Sequence, residues 1–168
     1  MWNRITSISY LAILTIKNVH AWKYFCISLL FIFPMAERKK NKYFIVLATN
    51  QENTLIATLP TSKDYIPVNV EKIHGCIDLP EINFNCYYFE AYKPIAESGW
   101  GFPLETYVYG PQIAEFNKTN FENIYSVEEI DYEIVGKLKA TELTAIQICV
   151  KNSRTVKRKI RRALGAEI

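Results

Sequence analysis

The sequence predicts an α+β, β-rich body that ends in helices, and three observations carry that expectation. Tyr and Phe are abundant, at 11 and 9 residues beside only 6 Gly, a composition that suits pleated strands and argues against disorder. Apolar runs of strand length recur between positions 42 and 116, separated by turn residues. After position 140 the apolar spacing changes to that of helices.

The best defined stretch is 42–63, KYFIVLATNQENTLIATLPTSK. Its two apolar runs, 43–48 and 55–59, flank Asn50, Gln51, Glu52 and Asn53, a polar interval of hairpin length. Pro60 cannot donate to a ladder, so pairing is expected to stop there. Thr61, Ser62 and Lys63 then stand at a sheet rim, where two hydroxyls and an ammonium can meet a ligand.

Residues 64–85 contain Pro67, Gly75 and Pro80 with little periodicity, and read as a long loop with a short strand near 68–70. The loop holds His74 and Asp78, either a pair for acid–base work or a surface histidine and a turn aspartate. The run 84–92, FNCYYFEAY, reads as a strand whose aromatics either pack inward or stack on unpaired bases. A turn at 97–101 carries Trp100 at its tip, and strands follow at 102–109 and 112–116, with 117–120 turning after them.

In the last third, 132–138 leads to Thr141 as a helix N-cap, and Leu143, Ile146 and Val150 form one buried stripe. Asn152 and Ser153 break that helix. Val156, Ile160 and Leu164 then recur every four residues among Arg154, Lys157, Arg158, Lys159, Arg161 and Arg162. This is a basic amphipathic helix, either a solvated face or a surface for RNA phosphates or an acidic partner.

The 168 residues suit one domain. The net charge of +3 is too small to mark nucleic-acid binding, but six of the 20 Lys and Arg fall between 154 and 162. Residues 1–34 differ from the rest. Their apolar runs, 5–16 and 25–33, are each shorter than the roughly 20 residues that span a bilayer, and Lys17, Asn18, His20 and Lys23 separate them. The segment from Met35 to Lys40, MAERKK, reads as an ordinary start, so 1–34 are expected to be an upstream over-extension, with a membrane anchor as the alternative. The body is then 35–152 and the basic tail 153–168. Cys26, Cys76, Cys86 and Cys149 form no CxxC pair and are expected to be reduced, mostly buried thiols of a cytoplasmic protein. His20 and His74 have no ligand-spaced partners, and no nucleotide fingerprint is present, so neither metal nor cofactor is expected.

Three segments together resemble the MazF/PemK-like toxins of toxin–antitoxin systems. Residues 43–48 look like that family's first strand, and 55–62 are similar to its strand closing on Thr-Ser. Gln112-Ile113, Val135-Gly136-Lys137-Leu138 and Glu142-Leu143 resemble its late QI strand and VGKL…EL helix start. The resemblance implies an SH3-like small barrel with C-terminal helices. It also implies a metal-independent endoribonuclease of single-stranded RNA, which lets a 2′-hydroxyl attack the adjacent phosphate. The residues it points to for catalysis are Lys42, at the place of the family's arginine, with Thr61 and Ser62. For RNA binding the candidates are Lys63 at the rim and, from the basic tail that the resemblance does not cover, Arg154, Lys157, Arg158 and Arg161. The implied partners are RNA, a cognate antitoxin and a second copy of the chain. The alternative is a non-catalytic barrel of the same design that binds RNA or a protein partner.

Overall fold

The computed structural model of the protein describes residues 12–16, 42–50, 54–127 and 132–165. The expected hairpin forms from β2 (Lys42–Asn50) and β3 (Thr54–Thr58), with Asn50 opposite Thr54 and Ile45 opposite Thr58. Successive strand residues face opposite ways, and β2 is buried on both sides. Ile45 and Leu47 point into one cluster and Phe44 and Val46 into another. That is why its sequence is a continuous apolar run. Each such buried side chain contributes about 1.5–3 kcal/mol over exposure.

The hairpin is the middle of a five-stranded antiparallel sheet. Its outer strands are β7 (Ala114–Asn117) on the β3 side and β8 (Tyr132–Lys137) on the other, while β1 (Ala12–Ile16) lies between β2 and β8. The sequence sets 1–34 apart from the body; the structure gives five of those residues an interior place in the sheet. The rest of that stretch lies outside the described residues. Among the described residues no helix is long and apolar enough to cross a membrane.

A second antiparallel sheet has the order β4 (Gly75–Leu79), β5 (Phe84–Phe89), β6 (Thr106–Tyr109). Here β4 replaces the long loop expected over 64–85. Its alternation is hidden because it is short, begins at Gly75 (φ 132°), stops at Pro80, and sets only Ile77 and Leu79 on one face against Cys76 and Asp78 on the other. The strand expected near 68–70 is instead a turn, with Val70 N–H donating to Pro67 O (2.9 Å) and Val68 fully exposed. The strand expected over 102–109 shortens to β6, and that over 112–116 moves to β7 after a 3₁₀ turn at Gly110–Gln112. Trp100 is not a tip: its ring packs on Tyr43 and Phe102 at 5.4 and 5.0 Å between centroids.

The helices are α1 (Lys118–Ile124), α2 (Ala140–Asn152) and α3 (Arg158–Ala163). The turn expected over 117–120 is instead the start of α1. Asn117 caps it, its Oδ1 accepting the Asn120 N–H at 2.9 Å. Thr141 is not an N-cap either, because α2 begins one residue before it, with Leu143 N–H donating to Lys139 O. Of the expected stripes, Ile146 and Val150 on α2 are buried with Leu143 partly buried against them, and Ile160 on α3 is buried with Val156 and Leu164 on either side of that helix. They join β2, Phe89 and Val108 in the core between the two sheets.

The two sheets are separate and open. Two single bridges link segments beside them, Thr61 beyond β3 with Tyr107 of β6, and Ala96 in the loop before β6 with Leu138 just after β8. The architecture is α+β, with small antiparallel sheets and C-terminal helices.

Three side chains on one face of the second sheet and its approach fasten it to α2 at helical spacing. His74 reaches Glu142, Cys76 is bonded to Cys149, and Asp78 accepts from Ser153 (2.6 Å). The Cys76–Cys149 disulfide corrects the expectation of reduced thiols. Its Cα atoms lie 5.5 Å apart although 73 positions separate them in sequence, a proximity that cysteine spacing alone cannot reveal. Cys86 remains a buried thiol.

Candidate functional site

The rim expected after the hairpin exists. Ile45 faces Thr58 across the ladder, so the chain leaving β3 runs out beside the start of β2, the end where Lys42 stands. The Lys42 backbone pairs with Ile16; its side chain lies outside the described residues. Pro60 ends the ladder, and Thr61 then turns away to exchange backbone hydrogen bonds with Tyr107. Thr61 is half-buried, while Ser62 and Lys63 are exposed. The Thr61 hydroxyl oxygen accepts the Lys63 N–H at 3.1 Å. Its own proton is therefore the group with which it can address a ligand.

Residues 61–73 lie across the outer face of the second sheet, where Ile66 packs with Ile77, Cys86 and Tyr88. The tyrosine hydroxyls hold this strap. Tyr109 OH donates to Lys63 O (2.9 Å) and accepts from Tyr65 N–H (2.8 Å). Tyr107 and Tyr88 donate to the two carboxylate oxygens of Glu105, at 2.8 and 3.0 Å. Lys72 joins the group, ion-paired with Asp64 and 3.5 Å from Glu105.

These contacts set the charge states. Burial works against the Asp64 carboxylate, but the Lys72 ammonium and the Ile66 N–H outweigh it and hold the group below its ordinary value. The Tyr107 and Tyr88 hydroxyls do the same for Glu105. Lys72 is raised, chiefly by Asp64. Tyr107 is raised, first by burial and then by Glu105. The cluster is internally satisfied, and its chemistry is to fasten the strap rather than to attack a substrate.

His74 and Asp78, the pair singled out for acid–base work, go separate ways. His74 Nε2 meets Glu142 Oε1 at 2.7 Å, and Tyr87 OH donates to the same oxygen at 2.8 Å. Since Nδ1 accepts the Glu90 N–H (3.3 Å), the neutral ring carries its proton on Nε2 and donates it to Glu142. Both ring nitrogens are thus engaged. Asp78 receives Asn85 and Ser153. Sequence reasoning missed the His74–Glu142 contact; the one hint was a carboxylate in the first turn of a helix, where the dipole favours it.

The basic segment is a second place. Val156 packs against Gly110, just beyond β6, and Lys159 pairs with Glu115 of β7. Arg154, Lys157, Arg158 and Arg162 are exposed, with no acidic partner among the described residues. Arg161 is half-buried and donates its Nε–H to Val156 O at 3.1 Å, which fixes the entrance to α3. Because Val156, Ile160 and Leu164 are sunk in the core, the exposed cations are presented from a docked element rather than a loose tail.

Among the described residues no three His, Cys, Asp or Glu side chains gather as a metal ion would require. Comparison with family models, curated proteins and solved structures finds no match.

Proposed function

We propose that the protein binds single-stranded RNA, with the docked basic segment meeting phosphates. One observation carries this reading: Arg154, Lys157, Arg158 and Arg162 are exposed on and beside a helix anchored in the core, with no acidic partner among the described residues. Crowded like charge is unfavourable unless a polyanion offsets it. The test is affinity for a single-stranded RNA oligonucleotide measured against salt. Changing Arg154, Lys157 and Arg158 together to Gln is expected to lower the log–log salt slope by roughly 0.7 for each phosphate no longer neutralised. An unchanged slope removes this segment from the interface.

Cleavage of that RNA is the second reading, favoured by the way β3 leads out to Thr61 beside the Lys42 end of β2. In this reading a Thr61 hydroxyl polarised by the Lys63 N–H donates to a phosphoryl oxygen, Lys42 supplies positive charge, and Ser62 assists. The SH3-like barrel implied by the resemblance belongs to the same reading, with the Thr61–Tyr107 and Ala96–Leu138 bridges as the places where its open sheets come together. So do a cytoplasmic location, a cognate antitoxin and a homodimer, all implied by the MazF/PemK-like resemblance. Induced expression in a bacterium separates the two readings. Growth arrest with RNA breakdown that vanishes in Thr61→Ala and Lys42→Ala supports the nuclease; intact RNA leaves the binder.

A further inference from the structure

The two residues of the Cys76–Cys149 bond are unequally exposed. Cys76 is exposed on β4, whereas Cys149 is 4% exposed, under the second sheet. The surroundings of Cys149 suit a reduced sulfur. Asn85 Nδ2, which also reaches Asp78 Oδ1 (3.1 Å) and Cys149 O (3.4 Å), lies 3.6 Å from the Cys149 Sγ, and the carbonyl oxygen of Cys86 lies 3.8 Å from it. A disulfide sulfur carries no proton, so that carbonyl receives nothing from it. The Asn85 side chain, itself 1% exposed, also has no hydrogen-bond partner for Oδ1 among the described residues. The Cys86 carbonyl is therefore an acceptor beside Cys149 that the oxidised sulfur does not use. A thiolate at Cys149 accepts from Asn85, and a thiol there donates to Cys86 O.

We propose that the Cys76–Cys149 bond is a reversible exchange site for a small-molecule thiol of the glutathione class, attacked at Cys76 with Cys149 as the leaving sulfur. The incoming thiol gives up its proton, and its sulfur attacks Cys76 Sγ in line with the existing bond. A bond forms between that sulfur and Cys76, and the Cys76–Cys149 bond breaks. The electron pair leaves on Cys149, which takes up the proton. In reverse, the Cys149 thiolate attacks Cys76 and expels the small thiol.

Cys86 is excluded from this chemistry. It pairs with Ile77 and packs on the opposite face of the sheet, against Ile66 and Tyr88. Burial also pushes its thiol up to about 12, far from the thiolate that exchange needs. The fold survives opening of the bond because the His74–Glu142 and Ser153–Asp78 contacts still tie the second sheet to α2 on either side.

The test uses the full chain, purified oxidised, incubated with reduced glutathione near neutral pH and quenched in acid. After denaturation and alkylation, the cysteine peptides are mapped by mass. The expected shift is a glutathione adduct on Cys76, with Cys149 and Cys86 recovered as alkylated thiols and the helical circular dichroism retained before quenching. An adduct on Cys149 or Cys86, or exchange seen only in denaturant, overturns the proposal. So does a chain in which oxidised glutathione fails to link Cys76 to Cys149. Cys86→Ala is expected to leave the pattern unchanged. Cys149→Ser, which has no internal sulfur to expel the adduct, is expected to hold glutathione on Cys76 after oxidised glutathione is washed away; its loss in buffer alone counts against the mechanism.

Discussion

Thr61 and Tyr107 exchange both backbone hydrogen bonds, Thr61 N–H to Tyr107 O at 2.9 Å and Tyr107 N–H to Thr61 O at 2.8 Å. This bridge carries the chain from the hairpin's sheet onto the outer face of the other, where the strap begins. It sets where Ser62 and Lys63 leave the rim, and the Tyr109 hydroxyl then holds Lys63 O.

Tyr109→Phe tests how firmly the strap is held. The change removes a hydroxyl that serves Lys63 O and Tyr65 N–H together. A loss of about 1–3 kcal/mol is expected, read as a lower urea midpoint with an unchanged slope. A midpoint equal to wild type shows that water replaces the hydroxyl at no cost.

Glu142→Ala leaves the His74 Nε2–H and the Tyr87 hydroxyl without their shared acceptor. The expected cost is again about 1–3 kcal/mol. Glu142→Gln, which keeps one acceptor oxygen, should lose less. Equal losses for the two variants would mean that the carboxylate at the head of α2 matters only through its charge.

Gly110→Ala addresses the seat of α3. A Cβ at Gly110 overlaps Asn85 Oδ1 and comes within 2.6 Å of Val156 Cγ2, both on buried residues. Overpacking of this kind costs about 1–3 kcal/mol. Thermal melts should show it, and faster amide exchange over 156–164 should locate it. Protection unchanged in that segment contradicts the packing described.

Stability should fall at both ends of the pH scale. Glu105 and Asp64 hold their protons less tightly in the folded chain than at their ordinary values of 4.5 and 3.8. Their contribution is present above those values and is lost as pH falls through the lower native ones. The phenols of Tyr87, Tyr107 and Tyr109 are raised above the ordinary 10.0, mainly by burial. Their contribution is complete below that value and is lost as pH rises past it. Urea midpoints across pH check both limbs, and Tyr107→Phe should flatten the alkaline one.

Removing residues 1–34 deletes β1, which pairs with β2 on one side and β8 on the other. The shortened chain is expected to lose cooperative unfolding, because two strands are left with unpaired edges and an empty lane between them. A sharp melt with undiminished strand signal in circular dichroism shows instead that β2 and β8 can close up directly.

What the sequence conveys follows the range of the interaction. β2, β3, β5 and the stripe of Val156, Ile160 and Leu164 are local patterns, so periodicity finds them. β4 escapes because Cys76 and Asp78 share the face that meets α2, which makes the strand look polar without reason. β1 escapes because it lies in the apolar stretch that reads as an over-extension or a membrane anchor. Of the candidate site, Thr61, Ser62 and Lys63 are found at a rim as the Pro60 signal implies. The Tyr107 bridge, the Glu105 cluster and the His74–Glu142 contact are not foreseen, since each joins residues that no local pattern relates.

The sheet order β7-β3-β2-β1-β8 has a bearing on how the protein is made. On the ribosome β1 emerges first and can pair with β2 early, but its other edge must wait until β8, at Tyr132–Lys137, has been synthesised. Through that interval a nascent strand reading AILTI offers an open edge, the kind of surface that invites pairing with a neighbouring chain. A chaperone that shields it, or slow translation that lengthens the wait, should therefore change the yield of this protein more than its final stability.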